Sequence, residues 1–238
     1  MLRLIILYCL LIFTFGFKTI SIQPGGLKGF YVMGICKYIK ENYCLEHYDL
    51  YGSSAGSWNA LYLSLPLDES YYFDKIIKIK PEHFSNLYEL ENGLKDIITN
   101  DKKIQEIDNH IASLNQKCNI CISEYNGYKF KKLIKSDFHD YEDLLQCCIA
   151  SSHLPFMSNG DFFYKYQNIK AIDGGLFQNN YPNHIEPDLL ISHKMFRNKE
   201  INKYSTRQNL NIEKLIYEGY KDAMGHPHYF DKKLIKDI

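Results

Sequence analysis

Tyr48-Asp49-Leu50-Tyr51, then Gly52-Ser53-Ser54-Ala55-Gly56, then Ser57-Trp58-Asn59-Ala60-Leu61-Tyr62-Leu63-Ser64-Leu65 is the stretch on which the fold turns. It reads as a brief apolar strand, a tight glycine turn and a helix closed by Pro66. The turn fits the pattern G-x-S-x-G, which arises often by chance and can mark no more than a helix cap. Context gives it weight here. Between a strand and a helix, Ser54 sits on a strained turn with its hydroxyl exposed, and the small Gly52 and Gly56 let strand and helix approach. A helix beginning near Ala55 adds a positive dipole end that favours a developing alkoxide.

The same grammar stands upstream. Lys18 to Ile22 is a β-branched run, Pro24-Gly25-Gly26 breaks it, and Val32, Ile35, Cys36 and Ile39 follow helical spacing between Phe30 and Asn42. Two strand-turn-helix units in succession predict a parallel sheet in an α/β fold. In the loop Pro24 to Gly29, glycines let successive amides point at one spot, which suits an anion or an oxyanion. Gly29 follows Lys28 where a Walker loop needs Ser or Thr, and the dinucleotide spacing also fails.

Downstream, Tyr71 to Ile79, Phe84 to Ile98 and Lys102 to Leu114 read as helices, and Lys117 to Tyr125 as a strand. Asn126-Gly127 predicts a two-residue hairpin turn, and Asp140 caps a helix carrying Leu144, Leu145 and Ile149. Phe162 to Tyr166, Ile169 to Ile172 and Asp188 to Ser192 read as further strands, and the tail beyond Lys194 as polar with helical pieces. The second of these strands runs into Asp173-Gly174-Gly175, where a carboxylate beside two permissive residues can be aimed into a cleft at the carboxyl edge of a sheet.

Length and composition narrow the rest. The 238 residues suit one catalytic-size domain, expected over 18–238. With 45% apolar and 24% charged residues, and 7 Pro beside 14 Gly, a disordered or collagenous chain is excluded. Lys and Arg total 28 against 28 Asp and Glu, so no net field draws in nucleic acid. The 15% aromatic content suits apolar ligands or an interface, and equally fits drift in composition. Leu4 to Phe17 carries no charge and stops at Lys18, short of the roughly 20 residues a membrane span needs. A secretory signal peptide over 1–17, cut after Gly16, is expected, with a retained membrane anchor or a buried strand as alternatives. That places the protein in the secretory pathway or on a membrane. There, Cys36, Cys44, Cys118, Cys121, Cys147 and Cys148 form an even set able to pair, though no pairing is legible. Cys118 and Cys121 have the spacing of a zinc half-site, yet on a strand an odd spacing sends them to opposite faces.

Taken together, the glycine loop, the G-x-S-x-G serine in the next strand-helix turn and the later Asp-Gly-Gly resemble the patatin-like phospholipase family. Supporting stretches are Ala150-Ser151-Ser152 before Leu154-Pro155, and Asn179-Asn180-Tyr181-Pro182 after the aspartate. The resemblance spans roughly Lys18 to Pro182. It implies a three-layer α/β/α sandwich with a mostly parallel sheet, Ser54 as nucleophile, Asp173 as its only partner, and Gly25 and Gly26 amides as oxyanion hole. Gly29, Gly52, Gly56, Gly174 and Gly175 are its motif glycines, and Lys28 matches a basic position able to steer lipid phosphate. It implies no cofactor and no metal, and a lipid substrate at a membrane or lipid-droplet surface. Pro24 stands where the family loop normally opens with glycine, and proline lacks an N–H. Two rivals are a Ser-Asp-His esterase using His184, His193, His226 or His228, and an inactive lipid-binding relative.

Overall fold

The computed structural model describes residues 18–65, 75–99, 111–115, 117–175 and 186–236. The apolar run 4–17, the stretch Asn179 to Pro182 and His184 lie outside the described residues.

Strand β1 (Lys18–Ile22) occupies the predicted positions, followed after a helix by the short β2 (Tyr43–Cys44) and by β3 (Tyr48–Ser53). Strand β4 (Cys118–Tyr125) leads through a hairpin to β5 (Phe130–Lys135), and β6 (Tyr164–Tyr166), β7 (Ile169–Ile172) and β8 (Leu189–Ile191) follow. The centre of the sheet is parallel. β1 pairs with β3 from Lys18↔Tyr48 to Ile22↔Gly52 and with β8 on its other side, while β3 pairs with β4 from Leu50↔Cys118 to Ser53↔Cys121. These strands are buried on both faces, which is why Cys118 to Ile122 reads as a nearly unbroken apolar run.

The far part of β4 carries an antiparallel lobe. β5 runs along one edge from Ile120↔Lys135 to Tyr125↔Phe130, and β7 takes the opposite edge at Ser123↔Ile172 through Tyr125↔Lys170, with β6 outside it. Since β5 occupies one edge throughout, β3 and β7 share the other. They run toward each other along it and stop two residues apart, at Cys121 and Ser123. This meeting of two carboxyl ends places the site.

Helices α1 (Gly29–Asn42), α2 (Ala55–Ser64), α3 (Leu87–Thr99), α4 (Tyr141–Ser152) and α5 (Ile212–Gly225) surround the sheet, with α3 reaching it through α4 and α5 through α1. Asp140 caps α4 as expected, its carboxylate accepting from the Asp143 amide at 2.7 Å. Helix α1 is buried almost all round, as a helix apolar on every face must be, and α5 supplies its outer cover. A Cβ on Gly34 would stand 2.0 Å from the Ile216 carbonyl oxygen and one on Gly219 1.9 Å from that of Tyr31, so the two backbones touch. The tail, polar with helical pieces in the sequence, therefore also completes the core. Its apolar positions Ile212, Leu215, Ile216, Gly219 and Ala223 form one helical stripe hidden among exposed charges.

Smaller corrections concern boundaries. Phe162 and Phe163 precede β6 instead of forming it, because their rings join an aromatic cluster. The hairpin turn centres on Gly127-Tyr128, with Gly127 at φ 95°, and the Asn126 side chain accepts from the Tyr128 and Lys129 amides. Cys36, Cys44, Cys118, Cys121, Cys147 and Cys148 are all free thiols, so the pairing that an oxidising compartment would permit is not formed.

Candidate active site at the carboxyl ends of β3 and β7

Ser54 follows the last residue of β3 and precedes the first of α2, with φ 56° and ψ −131°. A side chain in that region is strained by about 1–3 kcal/mol, so the surrounding structure must enforce it. It does so through close approach. A Cβ on Gly56 would lie 2.3 Å from the Ile22 carbonyl oxygen, so α2 begins in contact with the end of β1. Ser54 is 6% exposed, so the residue expected to present an exposed hydroxyl is buried and borders the cleft described below.

Asp173 follows β7 directly and is 3% exposed. Its amide donates to the His153 carbonyl at 2.7 Å, and its Oδ1 accepts from the Gly175 amide at 2.7 Å. The two expected catalytic residues thus leave strand ends that face each other along one edge of β4. Ser151 joins the two turns. Its hydroxyl accepts from the Ser54 amide at 2.9 Å and donates to the Cys121 carbonyl at 2.6 Å, while its own carbonyl accepts from the Gly174 amide at 2.9 Å. Replacing Ser151 with alanine leaves the buried Ser54 amide without an acceptor, a loss of about 1–3 kcal/mol. The thermal unfolding midpoint should fall by roughly 2–4 °C for each kcal/mol lost. An unchanged midpoint would show that the hydroxyl does not brace the turn.

The glycine loop reaches the same place from β1. Gly26 has φ 52°, a short 3₁₀ turn covers Gly26–Lys28, and neither Gly25 nor Gly26 gives its amide to another described group. Two donors are therefore available to an anion. Pro24 does not disrupt this loop. Its ring packs on the Asp-Gly-Gly turn, where a Cβ on Gly175 would stand 2.4 Å from Pro24 Cγ. Gly29 likewise rests on Ala55, so the three glycine motifs form one packed unit.

Beside this loop stands His193, just beyond β8. Its Nδ1 is buried without a hydrogen-bond partner among the described residues and lies 3.5 Å from a Cβ built on Gly25. Burial and then the charges of Lys28 and Lys194 push the imidazole below its ordinary range, keeping it neutral. Lys28 ends the 3₁₀ turn of the loop, and its charge is felt at His193. His226 instead stacks on Phe196 at 4.8 Å and approaches the Asp222 carbonyl at 2.8 Å. His228 lies on the short helix His228–Asp231.

A cleft opens at Ser54, with about 740 Å³ of empty space when the open solvent at its mouth is counted. Phe30, Met33, Trp58, Leu90, Leu94 and Leu154 give it apolar walls. One ionisable side chain, Glu91 of α3, lines it among the described residues, and its Oε2 has no partner. Burial pushes this carboxyl well above the ordinary range, the Ser152 hydroxyl opposes that, and the charge of Asp173 adds to it. Nothing in the sequence singles out Glu91, which sits in an amphipathic helix like any surface acid. Among the described residues no group of His, Cys, Asp and Glu is placed to hold a metal.

A family model described as patatin-like phospholipase matches residues 20–185. No curated protein matches the chain. Among solved structures, the crystal structure of VipD from Legionella pneumophila is similar over 74% of this chain and 49% of that one, at 12% identity and a TM-score of 0.41. The chain thus spans about half the length of that protein.

Proposed function

The chain belongs to the patatin-like phospholipase family, a family of lipid acyl hydrolases, and from that premise we propose that it cleaves fatty-acyl esters of lipids through Ser54 and Asp173. The observation that carries this reading is the strained Ser54 turn meeting the Asp173 turn along one edge of β4, with Ser151 bonded to both.

In the reaction so read, Asp173 takes the Ser54 proton and the alkoxide attacks the ester carbonyl. The Gly25 and Gly26 amides hold the tetrahedral oxyanion, and the alcohol leaves with the proton Asp173 took. Water, deprotonated by Asp173, then attacks the acyl-enzyme to release the fatty acid and return the proton to Ser54. A carboxylate is a weak base for a hydroxyl in water, and the burial of Asp173 supports its role by excluding competing solvent. The apolar cleft suits an acyl chain, and Lys28 at the end of the loop's 3₁₀ turn suits a lipid phosphate. We place the whole catalytic unit in a single domain from residue 18 onward, with residues 1–17 directing it to the secretory pathway or a membrane.

Purified protein incubated with a mixed lipid extract should release free fatty acid, with the depleted lipid class identifying the substrate. No release from any class by folded protein would overturn the reading. The unpartnered Nδ1 of His193 favours one second reading, a triad completed by that histidine. A His193→Ala variant separates the two. Under the dyad it keeps its rate within about tenfold, and under the triad it loses the 10²–10⁴ that a positioned base supplies.

A further inference from the structure

The antiparallel lobe has two faces of different character. Directly opposed residues of neighbouring strands share a face, so Tyr125, Phe130, Lys165 and Lys170 stand together, joined by Lys132 opposite Ser123. The other face belongs to α4, where Tyr164 bonds Gln146 and Tyr166 bonds Asp143 at 2.9 Å. No acidic residue occupies a strand position on the lysine face, and both Lys165 and Lys170 are exposed.

Aromatic rings continue that face toward the cleft. Phe130 meets Tyr125 at 5.2 Å, Tyr125 stacks on Phe163 at 5.1 Å, Phe163 meets Phe162 at 4.7 Å, and Phe162 meets Phe156 at 5.3 Å. Lys170 Nζ stands 5.7 Å from the centre of the Phe163 ring. The ridge ends in Phe156 and Met157, which are 67% and 66% exposed. Phe156 also has φ 63°, a conformation a bulky residue rarely adopts. Folding thus holds a largely exposed apolar ring at a strained position, its amide tied to the Asp161 carbonyl and its ring meeting the edge of Phe162. Two residues earlier, Leu154 lines the cleft, and the His153 carbonyl holds the Asp173 amide.

We propose that this lysine and aromatic ridge is a docking surface for an anionic lipid bilayer. Phe156, Met157 and Phe162 enter the interface, and Lys165 and Lys170 take the phosphates of the headgroups. The net charge of zero makes the local excess informative, because attraction comes from this face and not from the molecule as a whole. Docked this way, the cleft mouth beside Leu154 lies at the membrane plane. The inference rests on the lipid-hydrolase reading for the identity of the partner.

The test separates the two by using the Ser54→Ala protein, which needs no hydrolysis. Co-sedimentation with phosphatidylcholine vesicles, with and without phosphatidylserine, should show stronger binding to the anionic vesicles. Adding Lys165→Glu and Lys170→Glu should lower affinity for the anionic vesicles by about tenfold or more. Adding Phe156→Ser and Met157→Ser should lower binding to both kinds by at least about tenfold. Far-ultraviolet circular dichroism checks that each variant is folded. Equal binding by parent and variants, no preference for phosphatidylserine, or binding to single-stranded RNA that vesicles do not displace would each overturn the proposal. If the ridge binds as stated while lipid extracts stay intact under wild-type protein, only the hydrolase reading fails.

Discussion

Ser54→Ala should lower acyl-ester hydrolysis by at least about a thousandfold and abolish labelling by a fluorophosphonate probe, with the fold intact. Alanine removes the attacking oxygen and keeps the Cβ, so it meets the same positive φ as serine and relieves no strain. Unfolding should shift little, because the Ser54 amide and carbonyl keep their partners Ser151 and Ser57. Ser54→Gly should be equally inactive but more stable by about 1 kcal/mol, since glycine occupies that region freely. Inactivity with unequal stabilities would identify the strained turn as a cost borne for chemistry. Hydrolysis and labelling at the wild-type level in Ser54→Ala would remove the nucleophile assignment outright. The role would then pass to another serine, whereas folded wild-type protein that neither hydrolyses nor takes the label would favour the inactive lipid-binding relative.

The parts legible in the sequence are those dictated by local rules. β1 and β7 have the predicted boundaries because buried strands in this sheet are short apolar runs cut off by proline, glycine or aspartate. The Asp140 cap and the Ser54 turn were also visible, since a cap and a strand-helix turn need only neighbouring residues. Long-range convergence was not. That β3 and β7 meet end to end on β4 depends on β7 pairing antiparallel, and no residue of Ile169 to Ile172 specifies that direction. The Ser151 hydroxyl acquires its role from the same convergence, since it must reach a strand 30 positions earlier in the chain. The tail reads as polar with helical pieces, but the core role of α5 is not legible there for a different reason: its stripe is narrow and two of its members are Gly219 and Ala223, residues that matter by being small. The aromatic ridge eluded the composition because alternating strand positions assign its members to one face only after register is known.

Asp173→Asn tests the other half of the dyad, and the change is nearly isosteric. The amide oxygen of asparagine can still accept from the Gly175 amide, and the Asp173 backbone bond to His153 is untouched. What asparagine cannot do is take the Ser54 proton. The rate should therefore fall by about 10²–10⁴, the amount a positioned general base contributes. The double variant Ser54→Ala with Asp173→Asn carries the decisive comparison. Groups that act as one unit lose their function together, so the double variant should be no slower than Ser54→Ala alone. Measuring kcat/KM for both single variants and the double on one soluble ester closes this cycle. Two outcomes would break the pair. An Asp173→Asn rate within tenfold of wild type would pass the base role to His193, whose Nδ1 lies unpartnered at the edge of the glycine loop. Losses that multiply in the double variant would mean that serine and aspartate act on separate steps, with Asp173 shaping the turn around Gly174 and Gly175 instead of accepting a proton.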